Sequence, residues 1–67
     1  MDEPKRNAIE FLEKEIKTYM ALALFFAKKG LKESVKVEGK EILLSPTFYK
    51  ARMKEAKGIV SELRRSN

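Results

Sequence analysis

The chain has 67 residues and a formal net charge of +5, and 37% of its residues are charged. A chain of this length forms at most one domain and buries only about 60% of the surface that it exposes when unfolded. It contains neither cysteine nor histidine, which excludes disulfides and the usual ligands of a structural zinc site. The commonest catalytic base and the best nucleophile are missing for the same reason. We therefore expect a non-enzymatic protein without a metal or another cofactor.

The apolar segments of the chain are short. The longest, residues 19–27, has nine residues, whereas a membrane-spanning helix needs about 20. The first residues are acidic and no apolar stretch follows a basic start, so a secretory signal is not predicted. We expect a cytoplasmic protein with no integral membrane association. Its lysine- and glutamate-rich composition is similar to that of proteins from hyperthermophiles.

The first predicted element is a helix over about residues 4–29. Pro4 suits the first turn of a helix, and Lys28 and Lys29 favour the negative end of its dipole. Gly30 can adopt the left-handed conformation that ends a helix. The core-facing stripe repeats at spacings of three and four, and it consists of Ile9, Leu12, Ile16, Tyr19, Ala23 and Phe26.

Two carboxylates of this helix share one face, as the ligands of a metal site often do. They are Glu10 and Glu13. However, Lys14 and Lys17 follow them at a spacing of four, which favours ion pairs along a solvated helix face. The pattern predicts a soluble surface and no metal site.

Residues 35–44 depart from the helical period. Val35 and Val37 alternate with charged residues, Glu38 and Gly39 are suited to a tight turn, and an apolar run follows. This pattern predicts a short β-hairpin. Because an isolated hairpin is only marginally stable in water, we expect it to pack on the helices or to pair with the hairpin of another chain.

A second helix is predicted from Pro46 to about Arg65, with Ser45 as its N-cap. Its apolar stripe consists of Tyr49, Met53, Ala56, Val60 and Leu63. The predicted fold is mainly α (α+β), with two long antiparallel helices joined by a short β-hairpin. Residues 1–67 would form a single domain that dimerises into a four-helix core.

The first helix carries a second apolar stripe behind its core-facing one. This second stripe consists of Phe11, Leu22 and Phe25. At 100° per residue these side chains point away from the first stripe, so one partner helix does not cover both. Either the hairpin folds over the second stripe or a second copy of the chain buries it; a membrane-surface role is less well supported. We predict that the second stripe is the interface of a homo-oligomer, with a dimer favoured.

Basic and acidic residues lie on different sides of the second predicted helix. Residues 46–65 contain six basic and two acidic residues, and therefore four of the five net positive charges. Five basic residues project to one side, which we call the basic face: Lys50, Lys54, Lys57, Arg64 and Arg65. Such a face suits phosphates or an acidic protein, although most lysine-rich helices are simply solvent-exposed. No aromatic residue interleaves it, so any nucleic acid would be bound through phosphates without sequence preference.

Two further residues of the second helix are unusual. Arg52 borders the apolar stripe, where its stem can cover apolar surface or its guanidinium can reach a carboxylate such as Glu15. Gly58 costs about 1 kcal/mol relative to alanine in a helix interior. It shares a face with Ala51, and two small residues on one side allow another helix to approach closely.

No motif in the sequence is specific to one chemistry. The glycines are isolated, so a phosphate-binding loop is not predicted. The sequence predicts a small non-enzymatic helical module that self-associates and acts by binding another macromolecule, as an adaptor or regulator with a still unidentified protein partner. The alternative prediction is a basic, sequence-nonspecific nucleic-acid-binding protein.

Overall fold

A computed structural model describes residues 3–66 of the chain. Its elements are α1 (Glu3–Lys29), β1 (Glu33–Val37), β2 (Lys40–Leu44) and α2 (Pro46–Arg65). The predicted architecture, two long helices joined by an antiparallel β-hairpin, is therefore confirmed. The hairpin starts two residues earlier than predicted because the pairing continues to Glu33, which lies opposite Leu44.

A Schellman motif around Gly30 ends α1. Gly30 has a φ of 65°, in the left-handed region that glycine adopts without strain. The N–H of Gly30 donates to the carbonyl of Ala27 at 3.3 Å, and the N–H of Leu31 donates to the carbonyl of Phe26 at 2.9 Å. These two bonds satisfy carbonyls that the helix itself leaves without a partner.

Ser45 links the hairpin directly to α2. Its side-chain hydroxyl accepts a hydrogen bond from the N–H of Phe48 at 3.2 Å, as expected of an N-cap residue. Pro46 occupies the first turn, where a missing N–H costs no helical hydrogen bond. Because one residue separates β2 from α2, the orientation of the hairpin is coupled to that of the helix.

A two-residue turn joins the strands. Glu38 and Gly39 have φ angles of 52° and 78°, and positive φ at both central residues is the signature of the hairpin turn that matches the twist of the strands. Val35 lies opposite Ile42 in the ladder. On the other face of the sheet the Ser34 hydroxyl donates to the Glu41 carboxylate.

The core lies in the seam between the two helices. Tyr49 of α2 packs edge-on against Phe26 of α1, with ring centroids 5.1 Å apart, and stacks on Tyr19 at 6.3 Å. Since Phe26 is near the end of α1 and Tyr49 is near the start of α2, the helices are antiparallel. The buried apolar residues are Ile9, Ala23, Phe26, Tyr49, Ala56 and Val60. No side chain in residues 3–66 falls below 2% exposure, so this core is thin.

The hairpin does not fold over α1. The backbone of β2 contacts α2, whereas in the described part of the chain neither strand's backbone approaches α1. The interpretation that the hairpin covers the second stripe is therefore wrong. Residues 30–32 join α1 to β1 and Ser45 alone joins β2 to α2, so short connections hold the hairpin at the end of the helix pair. The described residues extend over 41 × 29 × 15 Å, which is a flat shape.

Candidate interaction surfaces

The structure divides the second stripe into buried and open parts. Phe11 is 61% exposed and Phe25 is 50% exposed. Leu22 is half-buried and packs against the core cluster that contains Phe26 and Tyr49. Leu22 therefore contributes to the helix seam, and two of the three predicted interface residues are left open to a partner.

Three hollows adjoin one another on one side of the helix pair, which we call the groove side. A groove of about 130 Å³ lies between the helices. A hollow of about 420 Å³ beside Phe11 shares Glu15 and Tyr19 with this groove. A third, of about 550 Å³ near the end of α2, shares Glu55 and Ile59 with it. Phe11 and Ile59 therefore lie on the same side of the molecule.

The exposure of Ile59 was not part of the interface predicted from sequence. Ile59 is 44% exposed and does not belong to the predicted α2 stripe. Its neighbour Gly58 lines the same hollow, and a Cβ atom at Gly58 would meet nothing within 4 Å. Gly58 therefore leaves open space beside an exposed apolar side chain. In the sequence, the only indication of this surface was that Gly58 and Ala51, seven residues apart, lie on the same side of the helix.

Polar groups of the groove make local contacts. The Arg52 guanidinium lies 3.6 Å from the Glu55 carboxylate on the same helix, and the Tyr19 hydroxyl donates to Glu15 at 3.4 Å. Arg52 therefore pairs within α2 instead of reaching Glu15.

Within residues 3–66, no group of three or more histidine, cysteine or acidic side chains is placed to hold a metal ion.

The five residues of the basic face are all exposed, but two of them are already paired. Arg64 forms an ion pair with Glu13 across the helix seam, and Arg65 pairs with Glu62 at 3.5 Å. Glu13 thus meets Arg64 and not Lys17, because the packing of α2 on α1 brings the guanidinium within reach. The remaining members are Lys50, Lys54 and Lys57, none of which has an ion-pair partner in the described range.

The basic face and the groove side lie on different sides of the helix pair. Glu13 and Glu15 are two residues apart on α1 and point to nearly opposite sides at 100° per residue. Glu15 lines the groove, whereas Glu13 holds Arg64. Lys50, Lys54 and Lys57 line none of the three hollows. A protein seated on the groove side would therefore leave the three lysines accessible.

Neither helix within residues 3–66 has the length and apolar character that crossing a membrane requires. Comparison with protein-family models, curated proteins and solved structures gives no match.

Proposed function

We propose that the chain is a small non-enzymatic module that self-associates and acts by binding another macromolecule, as an adaptor or regulator. The observation that carries this proposal is the amount of apolar surface left open. Among residues 3–66, eight large apolar side chains are between 40% and 66% exposed, while no side chain is below 2% exposure. Small chains without disulfides or structural metals commonly complete their core by oligomerising.

The groove side is the surface that we propose for a second copy of the chain. It presents Phe11 and Ile59 together, and Phe25 continues the second stripe along α1. A symmetric dimer uses the same patch on both subunits, so a side that carries exposed apolar side chains beside both outer hollows suits self-association, with the polar groups of the central groove between them. The basic face then remains outside the dimer, available to a negatively charged partner.

Charge substitutions on α1 test this surface. The double variant Phe11→Glu, Phe25→Glu is expected to reduce the molar mass in light scattering to that of one chain, because two carboxylates would be buried without partners. Leu22 is left unchanged since it packs in the seam.

Leu24→Glu is the matched control. Leu24 is 66% exposed and points about 100° or more away from both phenylalanines on the helix. The control is expected to keep the wild-type mass, and circular dichroism should show both variants folded. If the double variant and Leu24→Glu lower the mass equally, or if neither does, the groove side is not the interface.

A second candidate function is sequence-nonspecific binding of nucleic acid. Three exposed lysines at spacings of four and three, each without an ion-pair partner among residues 3–66, support it. Such a face would contact phosphates and release counterions, so affinity would fall steeply with salt.

The triple variant Lys50→Glu, Lys54→Glu, Lys57→Glu is expected to abolish binding to duplex DNA or RNA in a fluorescence anisotropy titration at low salt. The control Lys28→Glu, Lys32→Glu, Lys36→Glu makes the same change in net charge elsewhere. Equal losses in both variants would indicate general charge attraction, and an absence of wild-type binding at low salt would eliminate this candidate.

A further inference from the structure

The outer edge of β1 is an unpaired sheet edge. The sheet has two strands, and the backbone of β2 contacts α2, whereas β1 contacts neither helix in the described part of the chain. In the described residues, neither helix therefore covers the outer edge of β1. No proline or bulge interrupts β1, whose five residues pair in continuous register with β2. An open edge of this kind is a template for pairing with another strand.

One face of the hairpin carries four apolar side chains, which are only partly buried or exposed. Val35, Val37, Ile42 and Leu44 share this face with Glu33 and Lys40, because residues two apart and cross-strand partners point the same way. Leu44 packs against the helical core cluster, but Val37 is 50% exposed. A two-stranded hairpin is marginally stable in water, and further strands make such a sheet stable.

We infer that β1 pairs antiparallel with β1 of a second copy, about a two-fold axis beside Val35, to form a four-stranded antiparallel sheet. This inference rests on the self-association proposed above, but not on which helix surface is buried with it. A two-fold axis requires that the pairing be self-complementary, so that each residue of one strand faces its symmetry equivalent across the centre.

The face of each side chain restricts the register. Shifting the pairing by one residue would place the apolar face of one hairpin beside the polar face of the other. Among in-phase registers, centring on Ser34 would oppose Lys32 to Lys36, and centring on Lys36 would oppose that lysine to its own copy. Like charges directly opposite destabilise a sheet. Centring on Val35 opposes Lys36 to Ser34 and avoids both conflicts.

The same register joins the apolar side chains of the two hairpins. The central row of the sheet would read Ile42, Val35, Val35 and Ile42 across the four strands, since Val35 already lies opposite Ile42 within one chain. Just beyond the ends of β1, the register centred on Val35 also brings Lys32 towards Glu38 of the second copy. Cross-strand pairs of branched apolar residues are among those that stabilise sheets.

Single cysteines test this arrangement cleanly, because the chain has no cysteine of its own. Val35→Cys is expected to form a covalent dimer under mild oxidation, since the two Cβ atoms would lie about 4.5–5.5 Å apart. Glu33→Cys and Val37→Cys should each fail to form a dimer alone. An equimolar mixture of these two should give the mixed dimer, because the register opposes Glu33 to Val37 of the second copy.

The outcomes separate this inference from the proposed function. A Val35→Cys disulfide dimer that forms when the folded protein is oxidised but not when oxidation is carried out in denaturant, together with the mixed dimer, supports the pairing. If light scattering shows a wild-type dimer but Val35→Cys does not crosslink, or if Ile42→Cys crosslinks in its place, the β1 pairing is wrong while self-association stands. If the wild type is a monomer, the proposed self-association fails and the strand pairing fails with it.

Discussion

At the scale of single residues, a few positions determine where the elements of this fold begin and end. Gly30 ends α1 with a φ of 65°. Ser45 caps the start of α2, where its hydroxyl accepts a hydrogen bond from the N–H of Phe48. Both are effects of local stereochemistry, because a left-handed residue favours glycine and a free helical N–H needs an acceptor. These residues bear on the candidate surfaces only indirectly, by holding the hairpin at the end of the helix pair.

Ser45→Ala is expected to lower the free energy of unfolding by about 1 kcal/mol, because it removes the N-cap acceptor. Urea denaturation followed by circular dichroism measures the change. Ser61→Ala is the matched control, since Ser61 is exposed inside α2, where alanine is at least as favourable. A loss in Ser45→Ala no larger than the change in the control would show that the cap contributes nothing to stability.

Glu38→Asn is expected to raise stability by roughly 0.5–1 kcal/mol. Glu38 adopts a φ of 52° in the turn, a region in which asparagine is several-fold enriched over most other residues, and Asn-Gly is the preferred sequence for this turn. Lys36→Asn, a change within the strand, should instead be neutral or destabilising. An unchanged denaturation midpoint for Glu38→Asn would argue against the positive φ at this position.

At the scale of elements, Tyr49 holds the helices together near the hairpin. It is buried and contacts three other aromatic rings, those of Tyr19, Phe26 and Phe48. The ion pair between Glu13 and Arg64 spans the other end of the seam. Both of its side chains are exposed, so it contributes at most about 1 kcal/mol. Aromatic packing therefore attaches α1 to α2 more strongly than this ion pair does.

Tyr49→Ala is expected to destabilise the fold by about 3 kcal/mol or more, as truncation of a buried aromatic side chain usually does. Arg64→Ala removes the ion pair and should cost less than about 1 kcal/mol. Thermal unfolding monitored by circular dichroism compares the two. Equal losses would contradict the view that the aromatic cluster contributes more to the helix seam than the ion pair does.

The sequence allowed the elements to be predicted because their signals are local. Proline, serine and glycine at helix ends, the spacing of apolar residues and the Glu38-Gly39 turn each act within a few residues. The position of the hairpin, the burial of Leu22 and the pairing of Glu13 with Arg64 depend on the packing of distant segments. Helix spacing alone assigned Leu22 to the second stripe, whereas its proximity to Phe26 and Tyr49 becomes visible only once α2 is in place.

At the scale of the whole molecule, the flat shape and thin core leave apolar side chains on several surfaces. The groove side presents Phe11 and Ile59, the hairpin presents Val37, and the opposite side of the helix pair carries the lysines of the basic face. Because the lysines lie outside the groove side, that side can be buried in an assembly while the lysines remain in water. This distribution supports a module that completes its own fold by self-association and keeps a charged surface for a partner.

The most direct test of self-association is the molar mass of the wild-type protein, measured by light scattering on a sizing column over a range of concentrations and at low and high salt. One chain has a mass of 7.8 kDa. We expect twice that mass, retained at high salt because apolar contacts are not screened. A folded protein with the mass of one chain at every concentration would contradict it.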